Sequence, residues 1–236
     1  MATAGSDREN SGSPSRESAL LDCHDLVRSF SIGGVDVRVV DGVGLSVEPG
    51  ELVVLGGPSG SGKTTLMMMA GGMLRPDSGS VRVCGEDPYA ISADRRAALR
   101  ASVIGLILPT FELLPYLDAA DNVAIGYRGR GGRGVATELL EQIGLAGRAG
   151  QLPGRMSAGE RRRLLVARGL VHRPSLVLAD EPTANLDRES AEQVIRRLRA
   201  ACQGGAGVLV ITHEPPQLFG ADRVYRMEAG RLWISE

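Results

Sequence analysis

Four short apolar runs mark the chain: "ELVVLGG" from Glu51, "VIGLIL" from Val103, "SLVLAD" from Ser175 and "GVLVITH" from Gly207. Each is continuous rather than alternating and bounded by turn residues. That pattern predicts strands buried on both faces. Between them the period changes. "KTTLMMMAGGML" reads as a helix, and "SADRRAALRA" as a helix capped by Ser92. "RESAEQVIRRLRAAC" reads as an amphipathic helix. Residues 116–171 read as mostly helical, interrupted by the glycine-rich loop "RGRGGRG". Near the N-terminus, "LLDCHDLVRSF" and "VDVRVV" predict two strands joined by "SIGG". "GVGLSV", closed by Pro49-Gly50, predicts a third strand, and "GSVRVCG" another. "RVYRMEAGRLWIS" predicts a hairpin turning at Glu228-Ala229-Gly230. Strands alternating with helices make an α/β core. The strands gather towards the two ends of the sequence, and residues 109–171 form a helical insertion.

Composition narrows the function. With 236 residues and 43% hydrophobic content the chain can bury a full core. The net charge of −1 and 3% aromatic content argue against a nucleic-acid surface. Cys23, Cys84 and Cys202 show no metal or disulfide spacing. No apolar run approaches the ~18 residues that suggest a membrane span. Residues 1–19 are polar and Ser/Gly-rich and read as a disordered tail, which leaves 20–236 as one domain.

The chain has 27 basic Lys and Arg residues, and Lys63 is the only lysine. It sits in "GGPSGSGKTT", where Gly57, Pro58, Ser59, Gly60, Ser61, Gly62, Lys63 and Thr64 fit G-x-x-x-x-G-K-[ST], followed by Thr65. An apolar strand precedes this stretch and a helix follows it, the context of a phosphate-binding loop. The glycines let backbone N–H groups curl around a polyphosphate at a helix N-terminus. A compact ammonium reaches phosphate from inside a tight loop where a planar guanidinium does not fit. Thr64 offers a hydroxyl to Mg²⁺. The strand "SLVLAD" ends in Asp180 and Glu181, one carboxylate to hold the metal and one to polarise a water.

At this point the chain resembles the ATP-binding subunit of an ABC transporter, from about Leu20 to its end. "MSAGE" (Met156 to Glu160) resembles the signature LSGGQ, "LVLADEP" the Walker B strand, "ANLD" the D-loop and "ITHE" the switch-histidine segment. "DEPTANLD" and "GGMLRPDSGSV" most resemble the macrolide-exporter and lipoprotein-release subgroup. The resemblance implies a RecA-like P-loop core with an antiparallel β subdomain. It implies ATP and Mg²⁺ as ligands, and a homodimer in the ATP state that drives a transmembrane permease on another chain at the cytoplasmic face of the plasma membrane. It places Phe30 against adenine and makes Glu181 and His213 catalytic. Ser157, Ala158, Gly159 and Glu160 would meet the nucleotide held by the other subunit, with Asp187 coupling the two sites. A soluble family member acting on DNA or ribosomes fits less well, because the chain has no basic excess and no coiled-coil insertion.

Two positions depart from the family pattern. Pro109 stands where a lid-loop glutamine is usual, and it has neither side-chain oxygen nor N–H; Thr110 is the neighbour that can substitute. Ala158 replaces the first signature glycine. A slow ATP-dependent switch acting on a membrane partner therefore stands beside the motor reading. His24 and His172 are read as packing or surface residues, and Arg161, Arg162 and Arg163 as a solvated helix face.

Overall fold

The computed structural model describes residues 19–109 and 112–235. All of the N-terminal tail except Ala19 lies outside them, as does Thr110. In chain order the strands are β1 (Leu21–Ile32), β2 (Val35–Val47), β3 (Leu52–Gly56), β4 (Ser78–Val83), β5 (Ile104–Ile107), β6 (Leu176–Asp180), β7 (Gly207–Ile211), β8 (Arg223–Glu228) and β9 (Arg231–Ile234). The described helices are α1 (Lys63–Ala70), α2 (Ala93–Val103), α3 (Ala119–Ala124), α4 (Gly132–Gln142), α5 (Ala158–Leu170), α6 (Arg188–Gln203) and α7 (Pro216–Phe219).

The continuous apolar runs became the main sheet, ordered β5-β6-β7-β3-β8-β9. Its strands are parallel from β5 through β8, and β9 closes the edge antiparallel to β8. Successive residues point to opposite faces of a strand, so the runs feed two cores. Leu52, Val54, Val177, Ala179, Val208 and Val210 pack with Val123, Leu140, Leu164 and Leu198 of the helices on one face. Val53, Leu55, Leu176, Leu178, Leu209 and Ile211 pack on the other face with Leu66 and Met67 of α1 and with Leu26, Val40 and Val81. The last three come from a separate antiparallel sheet, β2-β1-β4. Helices α3, α4 and α5 lie between β5 and β6 in the chain. This is a RecA-like α/β core with an antiparallel subdomain and a helical insertion.

Local expectations needed correction in four places. "VDVRVV" and "GVGLSV" are one strand, β2. Gly42, at φ 65°, bends the chain without ending it, and pairing continues from Arg28–Val40 to Leu26–Val43 across an irregularity. The helix after the glycine loop ends at Ala70. Gly71 caps it, and the Tyr89 hydroxyl lies within hydrogen-bond reach of the carbonyls of Met69 (2.7 Å), in the last turn, and Leu74 (2.5 Å), just beyond it. Val103 ends α2 rather than opening β5. "RGRGGRG" is not all loop: Gly131, at φ 75°, caps α4, and Arg133 in its first turn pairs with Asp118 at 2.7 Å.

Candidate nucleotide site

Three strand ends build the site. In the sheet register Leu55 lies beside Ile211, and Ile211 beside Asp180. The loop after β3, the acidic pair after β6 and His213 beyond β7 therefore emerge at one level, at the carboxyl ends of parallel strands where α/β proteins bind ligands. A cavity of about 440 Å³ opens there, lined by Ser59, Gly60, Gly62, Lys63, Thr64, Thr65, Asp180, Glu181, His213 and Pro109, with Val39 and Ile211. A larger cavity of about 680 Å³ lies next to it, beside Gly57, Pro58, Pro216 and Tyr225. The smaller one holds the chemistry, because it contains the ammonium, the hydroxyl and both carboxylates.

The loop glycines do two jobs. Gly60 has open space around it and needs only its positive φ of 79°. Gly57 and Gly62 are also fixed by packing: a Cβ on Gly57 would lie 2.0 Å from the Met227 carbonyl oxygen, and one on Gly62 2.3 Å from that of Val39. The ladder of α1 begins with Leu66 N–H to Gly62 O, 2.9 Å, leaving the first-turn N–H groups without an intrahelical acceptor. Lys63 is 6% exposed. Its Nζ donates to the carbonyls of Gly57 (2.8 Å) and Pro58 (2.7 Å), so the ammonium is held at the mouth of its own loop. Burial pushes its pKa down, against the pull of Glu181 and Asp180.

Thr64 Oγ1 donates to Asp180 Oδ2 at 2.7 Å. A hydroxyl and a carboxylate in contact at the foot of a phosphate loop are the hard oxygen donors that Mg²⁺ takes. Glu181 holds a left-handed backbone, φ 49°. Its N–H donates to Ile211 O at 2.9 Å, while its buried Oε1 has no hydrogen-bond partner. His213 Nε2 stands 3.4 Å from that oxygen. Burial raises the Glu181 pKa above the ordinary glutamate value, Asp180 adds to the rise, and His213 and Lys63 oppose it. A carboxylate oxygen of raised basicity with no hydrogen bond of its own, beside the Thr64–Asp180 pair and a phosphate loop, is suited to accept a proton from water.

The other expected residues sit elsewhere. Phe30 lies on β1 opposite Val37, with the Arg28 guanidinium 4.9 Å from its ring centre; it does not line the cavity. Ser157, Ala158, Gly159 and Glu160 form the start of α5, also outside it. Ser157 is the N-cap: its hydroxyl accepts from Glu160 N–H at 3.1 Å, and Glu160 Oε2 accepts from Ser157 N–H at 2.8 Å. Glutamate in the last signature place thus closes a capping box. The D-loop lies alongside, since a Cβ on Gly159 would come within 3.3 Å of Leu186 Cδ2. Asp187 caps α6 by accepting from Ser190 N–H at 2.9 Å, and Arg163 donates to the Ser190 hydroxyl at 2.5 Å.

The arginine triplet is not one solvated face. Arg161 donates to Met156 O, Arg163 reaches Ser190, and half-buried Arg162 feels the field of Asp180 and Glu181. The sequence reading missed Arg162 because its chemistry depends on where α5 meets β6. It also missed Val39 and Ile211, which carry no chemical signal. His24 contacts Asp22 at 3.0 Å and His172 contacts Ile104 O at 3.2 Å, both away from the cavity.

The family model described as ABC transporter matches residues 40–184. The chain belongs to this family. It is 41% identical over 214 residues to a lipoprotein-releasing system ATP-binding protein, LolD, of Novosphingobium aromaticivorans, covering 88% of this chain and 96% of that protein. It is 39% identical over 219 residues to the macrolide export ATP-binding/permease protein MacB of Syntrophobacter fumaroxidans, covering 89% of this chain but 31% of that longer protein. Among solved structures, the ATP-binding cassette MJ0796, in a dimeric post-hydrolysis state bound to ADP and Pi, superposes with a TM-score of 0.85 at 28% identity, over 92% of this chain and 98% of that one. No described helix is long and apolar enough to cross a membrane.

Proposed function

We propose that this ABC cassette is the ATP-hydrolysing motor subunit of a transporter. The observation that carries the reading is the convergence of Lys63, Thr64, Asp180, Glu181 and His213 on one cavity. Lys63 and the loop N–H groups bind the phosphates. Thr64 and Asp180 would hold Mg²⁺, which would supply positive charge to the phosphates when bound. Glu181 takes the proton of the attacking water, and His213 orients the attack. Phe30 stacks on adenine. Ser157, Ala158, Gly159 and Glu160 lie outside the cavity of their own chain, which suits a role at the nucleotide of a second copy in a head-to-tail homodimer; Asp187 couples the two sites. Such a dimer pulls on a membrane permease from the cytoplasmic face. A permease partner is supported by the match with a relative named as the ATP-binding protein of a lipoprotein-releasing system.

One observation favours a slower, switch-like variant of the same activity. Pro109 lines the cavity, at the place where a glutamine would present an oxygen. Phosphate release by the purified chain, with and without its permease, separates the two readings. Rapid, vanadate-sensitive turnover supports a motor, and ATP binding without turnover in either condition refutes one.

A further inference from the structure

A second polar cavity lies at the opposite end of β6 from Asp180. It encloses about 540 Å³ where α5 ends, β6 begins and α6 makes its last turns. That volume falls in the usual range of small-molecule sites, on the order of 300–1,000 Å³. Arg173, Arg197 and Ser175 supply its polar groups, Leu20, Leu170 and Ala201 much of its apolar wall, and no carboxylate is among its described lining residues.

Two arginines line this cavity with no carboxylate beside them, whereas several others in the chain are paired with acids. Arg28 is matched by Asp77, Arg133 by Asp118 and Asp121, and Arg223 by Glu51. Among the described residues neither Arg173 nor Arg197 has a side-chain hydrogen bond or ion pair, and the Nε of Arg197 is buried without an acceptor. Helix dipoles explain only part of this. The carbonyl end of a helix attracts cations, and Arg173 follows the end of α5 at Leu170. Arg197 sits more than a turn before α6 ends at Gln203. Arg173 is exposed and Arg197 half-buried; a guanidinium stays charged in any protein environment, so two of them at one cavity with no carboxylate beside them favour an anion from outside.

We propose that this pocket binds a small organic anion. A carboxylate or phosphate head accepts from Arg173, Arg197 and the Ser175 hydroxyl, and a short apolar body lies on Leu20, Leu170 and Ala201. The guanidinium fork matches either head in bidentate fashion. The pocket touches the ends of α5 and β6 whose other ends carry Ser157 and Asp180. The proposal does not depend on ATP turnover, so its test uses nucleotide-free protein.

Calorimetric titration of the full chain with hexanoate, hexyl phosphate and the neutral isostere hexanamide provides that test. At least one of the two anions should bind saturably, and hexanamide should bind at least about tenfold more weakly. The tighter anion identifies the head group. Arg197→Ala and Arg173→Ala should each weaken anion binding by about tenfold or more, with the melting temperature confirming that both variants fold. Lys63→Ala should leave the binding unchanged, which separates this pocket from the phosphate loop. Absence of saturable binding by both anions, equal binding of hexanamide, or binding lost in Lys63→Ala but kept in both arginine variants would overturn it.

Discussion

The single lysine among the basic residues is explained by its surroundings. Lys63 is buried within reach of two loop carbonyls, where a compact ammonium is easier to place than a planar guanidinium fork. Lys63→Ala and Lys63→Arg should both lose ATP affinity in equilibrium nucleotide titration, the arginine variant because of shape rather than charge. Glu181→Gln should keep ATP binding and lower turnover by about 10²- to 10⁴-fold, as measured by phosphate release. The same carboxyl predicts a pH effect. Its folded pKa lies above the ordinary value of 4.5, so between the two values the folded state holds more protons than the unfolded chain. Stability contributed by the protonated form is therefore lost as pH rises through the folded pKa. Glu181→Gln should melt higher than the unaltered chain at pH 7, and the difference should shrink below the unfolded value of 4.5. Turnover should rise with pH through the raised pKa. Pro109→Gln should increase kcat, by up to about 10²-fold where an oxygen is the missing contact, with little change in KM. An unchanged kcat would leave Pro109 a neutral lid residue.

At the scale of elements, sequence features that suggest phosphate chemistry also hold the fold together. Ser157 caps α5 in a reciprocal box with Glu160. Ser157→Ala should therefore cost about 1 kcal/mol of stability, read by denaturant titration, besides any loss of turnover. Glu160→Gln retains an oxygen for the box and should cost less. Gly57, just after β3, lies against the Met227 carbonyl. Gly57→Ala should destabilise the chain by about 2–4 kcal/mol, since overpacking and a positive φ act together. That loss would appear in the same titration without nucleotide, unlike a loss due only to phosphate binding.

For the molecule as a whole, the signature end of α5 and the D-loop form one surface apart from the cavity. On the proposed reading, a complete site draws on two copies. Glu181→Gln with Mg-ATP should elute as a dimer in size-exclusion chromatography, and adding Ser157→Arg should return it to a monomer. The double variant should still bind ATP, because its own phosphate loop is untouched.

The apolar runs, the glycine loop with its lysine and the acidic strand end were legible in the sequence because each depends on neighbours along the chain. A doubly buried strand reads as continuous hydrophobicity, and a phosphate loop must follow a strand and open a helix. Tertiary structure decided what depends on distant neighbours. It joined β2 across Gly42, because pairing with β1 resumes beyond the bend. It started α4 inside "RGRGGRG", where Asp118 and Asp121 wait for Arg133. It turned Glu181 towards His213, and set Arg162 in the field of the acidic pair. It brought Arg173 and Arg197 to one cavity. Local spacing specifies an element and its chemistry, but only the register of parallel strands and the packing of helices on them decide which side chains share a space.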